Sequence, residues 1–398
     1  AEAKERAAVL EEQRAQLPAR LAAIYQPAGK IQRIARKLNR DYIRPDSPPP
    51  LPAVGFPPDD IAAIEGLVKL LVATADSQLQ EQMQAVEDYQ ETYHSAGEMD
   101  RGTDEYWAIV RQATMLRFQH ANTFYHTYKP LREIVIRRDA LVEAGVPAGL
   151  IDEVVDPWLR KTVERLGEKY SEWDWSFGQY YVFLKHRVAV HQAEYVRHHR
   201  GEDNPLINYD LVQTAFLECL QTDTSGYDRQ TRVQVERLKY EIWSDLFYWH
   251  LAIGDDDALA KAAELWDTFQ EMSGDDRRFS LDSRDEFRQV MAGHLHMLVA
   301  RLRLARGDAT GANSLMAEVQ KSGNFFQGNA KQWIAYFASG DVGGADPWFA
   351  QPRPMDPDKA KSGMRKKAST RMPTPTPATA ASPKPATAAS TAVLVMGP

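Results

Sequence analysis

The side chains whose types and spacing come closest to a known catalytic device are Glu91 and His94 of Glu91-Thr92-Tyr93-His94. On a helix, residues three apart share a face, so Glu-x-x-His presents an oxygen and a nitrogen ligand together, as in di-iron carboxylate bundles. Such a centre needs a second pair and two more inward carboxylates, and no other Glu-x-x-His occurs in the chain. The competing reading is a surface pair near a helix end. A second lead is the series His186, His191 and His198. The last two are seven apart and therefore on one helical side, which suits axial ligation of haem or a metal and equally suits imidazoles satisfied at the edge of a core. His294 and His296, two apart, diverge on a helix and do not chelate together.

Other chemistries lack their residues. Cys219 is the single cysteine, which excludes an intramolecular disulfide and a cysteine-based zinc cluster, and its neighbours Phe216, Leu217 and Leu220 mark it as inert packing. Asp255-Asp256-Asp257 and Asp275-Asp276 lack the glycine and distant glutamate of a calcium loop and read as turn and cap residues. There is no Gly-x-Ser-x-Gly elbow, no His-Glu-x-x-His helix and no phosphate-binding glycine loop. The expectation is a protein with no catalytic residues and no cofactor.

The elements that would position any site are helical. With 398 residues, 43% of them hydrophobic, and 9 Trp, 16 Tyr and 14 Phe, the chain has the apolar area for a large core. No run approaches the ~20 apolar residues of a membrane-spanning helix; Ile61 to Ala75 is interrupted by Glu65 and Lys69. Charge is segregated: residues 1–44 carry ten basic against five acidic side chains, residues 359–398 carry seven basic and no acid, and with a total of −7 this leaves −19 on residues 45–358. Basic ends flanking an acidic body favour acidic protein surfaces or anionic headgroups as partners and argue against nucleic acid as the main one. The opening Ala1-Glu2-Ala3-Lys4 suits the new terminus left by targeting-peptide removal, so the expected home is an organelle, a mitochondrion for preference, with export to a periplasm as the alternative.

Periodicity divides the chain into five parts. Residues 1–44 form a basic helical arm in which Ile31, Ile34, Leu38 and Tyr42 oppose Arg33, Arg36, Lys37 and Arg40. This face either leaves the arm docked on its own acidic body or grips a partner or, over 31–44, an anionic bilayer surface. Residues 45–58, half of them proline, form a linker. Residues 59–202 form a long-helix antiparallel bundle. Its first helix carries Ile61, Ile64, Val68, Leu71, Ala75, Leu79, Met83 and Val86 inward and ends at Gly97, and a second starts at Thr103 or Asp104 with Trp107, Val110, Leu116, Ala121, Phe124 and Tyr128 inward until Pro130 breaks or kinks it. Residues 203–350 form a stack of shorter α-hairpins, and residues 351–398, rich in Pro, Ala and Thr, a disordered basic tail.

The hairpin region repeats one phrase: Leu251-Ala252-Ile253-Gly254-Asp255, Leu304-Ala305-Arg306-Gly307-Asp308 and Phe337-Ala338-Ser339-Gly340-Asp341. Glycine in the left-handed conformation caps one helix and the following Asp caps the next, so each copy encodes a tight corner. The second and third copies are 33 residues apart, as are Ala312 and Ala345. Over about 240–346 the chain thus resembles the tetratricopeptide-type helical repeat, and an irregular α-hairpin stack fits the same residues. The resemblance implies a surface that binds peptides or protein neighbours.

The sequence therefore predicts an all-α protein, an arm and linker followed by bundle, hairpin stack and tail, acting as a non-catalytic scaffold or accessory subunit through contacts with other protein subunits. Two alternatives stand beside it: a metal or haem bundle using Glu91, His94, His186, His191 and His198, and a reversible peptide-binding adaptor.

Overall fold

The computed structural model describes residue 12, residues 29–46, residue 48 and residues 55–96, 102–171, 181–204, 207–274 and 280–340, and every regular element among these is helical. The fold is all-α. Helix α1 spans 29–38 and widens into a π-helical turn, Asn39–Ile43. Then follow α2 (Pro58–Ala96), α3 (Asp104–Ile136), α4 (Arg138–Glu143), a π-helical segment Leu150–Val155, α5 (Asp156–Ser171), α6 (Tyr181–His198), α7 (Tyr209–Leu220), α8 (Arg229–Ile253), α9 (Asp256–Gly274), α10 (Glu286–Ala305), α11 (Ala309–Ser322) and α12 (Gln327–Ser339). Residues 1–11, 13–28 and 341–398, and the side chains of Glu91 and His94, lie outside what is described, as does the expected tail.

Apolar periodicity forms α2, whose buried Ile64, Val68, Leu71, Ala75, Leu79 and Val86 recur at three- and four-residue steps along 39 residues. It packs on α3 as an antiparallel hairpin: the carbonyl of Leu79 in mid-α2 meets His120 in mid-α3, and Ile61 at the start of α2 lies beside Gly145, beyond the end of α3. Thr103 caps α3 by accepting from the Tyr106 amide. Pro130 does not end this helix, which runs on to Ile136. Burial of Tyr128, Leu131 and Ile134 on both sides of the proline outweighs the roughly 3 kcal/mol that its missing N–H and ring clash cost. Trp107, expected inward, is 42% exposed, because it sits in the first turns of α3, opposite the last turns of α2, where the shared core has run out.

Helix α6 packs on α3, α5, α7 and α8, and α3 touches α8, so three long helices meet pairwise in the middle of the molecule. From α8 the chain adds α9 and α10 beside it, then α11 against α10 and α12 against α11. One continuous apolar core runs from Ile31 of α1 to Trp333 of α12, with Trp243, Trp249 and Trp266 among its largest fully buried members. The corners read from the sequence have the cap geometry they need. Gly254 (φ +71°) ends α8 and Asp255 accepts from the Ala258 amide; Gly307 (φ +80°) follows α10 and Asp308 accepts from Gly311; Gly340 (φ +68°) ends α12. Asp341 falls outside the described residues.

These conformations give a paired prediction. Gly254→Ala forces a Cβ into left-handed backbone and should lower the urea-unfolding free energy by about 1 kcal/mol. Gly66, exposed in the interior of α2 with open space around its Cα, should give a gain of roughly 0.5–1 kcal/mol on Gly66→Ala. Equal effects of the same sign would overturn this assignment of the corner.

Candidate functional site

The densest convergence of ionisable side chains lies where α3, α6 and α8 meet. Asp245 of α8 is 2% exposed among Trp243, Leu246, Phe247 and Trp249, a position on the apolar stripe that its neighbours fix inward. Arg132 of α3 donates from Nη1 to Asp245 Oδ1 (2.9 Å), the Tyr125 hydroxyl donates to Oδ2 (2.8 Å), and His186 Nε2 of α6 stands 3.0 Å from the same oxygen. Arg187 Nη1 lies 2.8 Å from His186 Nδ1. A guanidinium can only donate, so Nδ1 accepts and the proton sits on Nε2, aimed at Asp245. Arg187 also reaches Glu241 (3.3 Å) and lies 3.4 Å over the Tyr125 ring, while Arg132 lies 4.1 Å over Tyr248.

Electrostatics follow from the burial and the pairing. Burial alone would raise the carboxyl of Asp245, but Lys129, the His186 hydrogen bond and Arg132 hold it far below the usual carboxylate range. Burial and Arg187 lower His186, which stays neutral. Aspartate, imidazole and guanidinium in a chain resemble an acid–base relay. Here both imidazole nitrogens are engaged, one by Asp245 and one by Arg187, and the Tyr125 hydroxyl is shared with two carboxylates. The arrangement ties three helices.

The histidines singled out in the sequence each hold a different neighbour. His186 binds α8 through Asp245, His191 Nε2 donates to the Val163 carbonyl of α5 (3.0 Å), and His198 Nε2 lies 3.0 Å from Glu194 of its own helix. Glu194, fully buried, also takes Arg197 (2.6 Å), and although burial would raise its carboxyl, Arg197 and His198 hold it at about 2. His294 and His296 face different surroundings, Asp46 and the Ala292 carbonyl. Among the described residues no group of three or more His, Cys, Asp or Glu is arranged to hold a metal ion. Cys219 is buried in α7, and burial pushes its thiol up to about 12.

A second site lies at the end of the molecule where the linker returns. Arg137, at the corner between α3 and α4, is 7% exposed, and burial pulls its guanidinium down to about 9. It donates to the carbonyls of Ile43 (3.0 Å), Arg44 (2.8 Å) and Pro48 (3.2 Å). Trp333 Nε1 of α12 donates to the Asp46 carbonyl at 3.0 Å, Asn329 Nδ2 stands 3.5 Å from the same oxygen, and His294 Nε2 of α10 stands 3.5 Å from the Asp46 carboxylate. Beside this strap opens a cleft of about 310 Å³ walled by Ile136, Leu251, Leu304 and Trp333, with Arg137 and Arg301 at its polar edge. Arg301 is braced by Glu133 at 2.7 Å. The basic face of α1 lies outside: Ile31, Ile34 and Leu38 are buried, while Arg33, Arg36 and Arg40 are exposed and Lys37 is half-buried.

Of these groups the sequence singled out His186 and His294, as histidines only, and not Asp245, Arg132, Arg137 or Trp333. For Asp245 a signal existed, an acid on the apolar stripe of a Trp- and Phe-rich helix. For Arg137 and Trp333 none did, because they bind main-chain carbonyls, which every residue has. No family model matches the chain, and neither a curated protein nor a solved structure is similar to it.

Two predictions follow from the buried charges. Asp245→Asn leaves Arg132 buried without its counter-charge and should cost about 3 kcal/mol in urea unfolding, against about 1 kcal/mol for Tyr125→Phe, which removes one hydrogen bond; equal losses would refute the central place given to the carboxylate. His120, His191 and His250 are fully buried, and burial lowers them to about 3, 4 and 3. Their folded values lie below the unfolded ~6.5. Below that pH the unfolded chain binds the protons, so stability is highest above pH ~6.5 and falls on acidification, by up to about 1.4 kcal/mol per pH unit for each histidine. Denaturation midpoints at pH 7.0, 6.0 and 5.0 should drop in that order.

Proposed function

We propose that the chain is a non-catalytic scaffold or accessory subunit that works through contacts with other proteins. The observation that carries this reading is the division of labour among its charged groups. In the interior, Asp245, Arg132 and His186 are spent on one another across the helix contacts, and Arg187 and the Glu194–Arg197 pair are engaged on α6. On the outside, Arg33 and Arg36 stand exposed on α1 over an apolar face that is itself buried, and Arg40, in the π-helical turn that follows, pairs with Asp41. The partner of this basic face, on this reading, is an acidic protein surface. No helix among the described residues is long and apolar enough to cross a membrane.

The test is recovery of the native protein from its source with its neighbours. Co-elution of one or more proteins in size-exclusion chromatography well above 45 kDa, at stoichiometric ratio, is the expected result. The double variant Arg33→Glu/Arg36→Glu should abolish co-elution with little change in melting temperature, since exposed charges of this kind contribute little to folding. Elution alone at monomer size for the unaltered chain would end the scaffold reading.

A further inference from the structure

We infer that the cleft at the ends of α3, α8 and α10 is a binding site for a small organic carboxylate with a compact apolar body, its acid end held by Arg301 and Arg137. The volume of about 310 Å³ is at the small end of the range for ligand pockets, roughly 300–1,000 Å³. Ile136, Leu251, Leu304 and Trp333 give it apolar walls from four helices, and all four side chains pack on the main core. A second, independent observation sets the polar end. The Arg301 side chain is only 10% exposed, yet of its N–H groups just the one from Nη2 to Glu133 Oε1 is short, at 2.7 Å. Nη1 stands 3.5 Å from both Glu133 Oε2 and the Tyr248 hydroxyl, beyond ordinary hydrogen-bond length, and Nε has no hydrogen-bond partner among the described residues. A buried guanidinium with donors still unengaged thus lines the cleft.

Charge selects an acid as the group those donors take. Arg137 gives its N–H groups to the carbonyls of Ile43, Arg44 and Pro48, which accept hydrogen bonds without neutralising it, and burial together with repulsion from Arg301 pulls it down to about 9. Glu133 and Asp46, whose charges bear on both arginines, do not line the cleft. Asp139 does, but it is exposed and pairs with Arg138 at 2.9 Å. A carboxylate in the cleft therefore meets two mutually repelling cations from the side on which no buried acid stands, and a fork of N–H groups suits its two oxygens. The ends of α3 and α10 work against it, since a helix C-terminus carries roughly half a negative charge. These partial charges subtract from the affinity of an anion, and they leave the unengaged N–H groups of Arg301 where they are. Apolar burial supplies the affinity and the acid sets the orientation. The site goes beyond the scaffold reading, because it lies apart from Arg33 and Arg36 and takes a small molecule.

Isothermal titration of the full chain with octanoate, and with octanamide as its neutral counterpart of equal length, tests this. Octanoate should bind saturably at one site per chain and at least tenfold more tightly than octanamide. Ala305→Trp, at an exposed position on the cleft's edge, fills the space while leaving both arginines in place, and should abolish binding of both compounds with an unchanged melting temperature. Arg301→Gln should reduce octanoate to the level of octanamide. That substitution leaves Glu133 buried without its counter-charge, so if the variant does not fold, the acid-to-amide ratio and Ala305→Trp decide the matter. Absence of saturable octanoate binding, equal affinity for acid and amide, or octanoate binding that survives Ala305→Trp overturns the proposal. None of these results bears on whether the protein co-elutes with its neighbours.

Discussion

A carboxylate that cannot reach water organises this molecule. Burying Asp245 without partners would cost several kcal/mol, and the chain meets that cost with an arginine, a tyrosine and a neutral histidine drawn from two other helices. Each partner can be satisfied only if its helix stands at one height and one rotation about its axis, so the network sets the relative placement of α3, α6 and α8 in a way that apolar contacts alone would leave loose. A ring of Trp and Phe around α8 tolerates small slides. A bidentate demand from one carboxylate does not.

The same logic recurs at other buried positions. Glu194 gathers Arg197 and His198, Glu133 braces Arg301, and Arg137 gathers carbonyls from the strap. Away from Asp245, ionic ties are joined by ties on main-chain atoms, those of the π-helix end and the turn that follows it.

Much of the architecture was legible because it obeys local rules. The apolar steps of α2, the Thr103 cap, the Gly254-Asp255 and Gly307-Asp308 corners and the buried thiol all depend on residues within a few positions of one another. Arg132 and Asp245 are 113 residues apart and Asp46 and Trp333 287 apart, and no periodicity links them. The histidines illustrate the gap best. Spacing placed His186, His191 and His198 correctly on one helix, yet which of their nitrogens were already engaged depended on α5 and α8, which spacing along α6 cannot see. At Pro130 the break that the local rule allows does not occur, since burial on either side outweighs it. The linker's composition spoke of an extended spacer; its carbonyls, invisible in a composition, turned out to be bound.

One consequence of the strap concerns the order of events at birth. Trp333 follows Asp46 by 287 positions, and at about 5–20 residues per second a ribosome needs roughly 15–60 s to make the second after the first. Through that interval the opening helix and its basic row can dock on α3 but have nothing to lock them at the far end. That end of the described structure therefore stays open until α12 has been made.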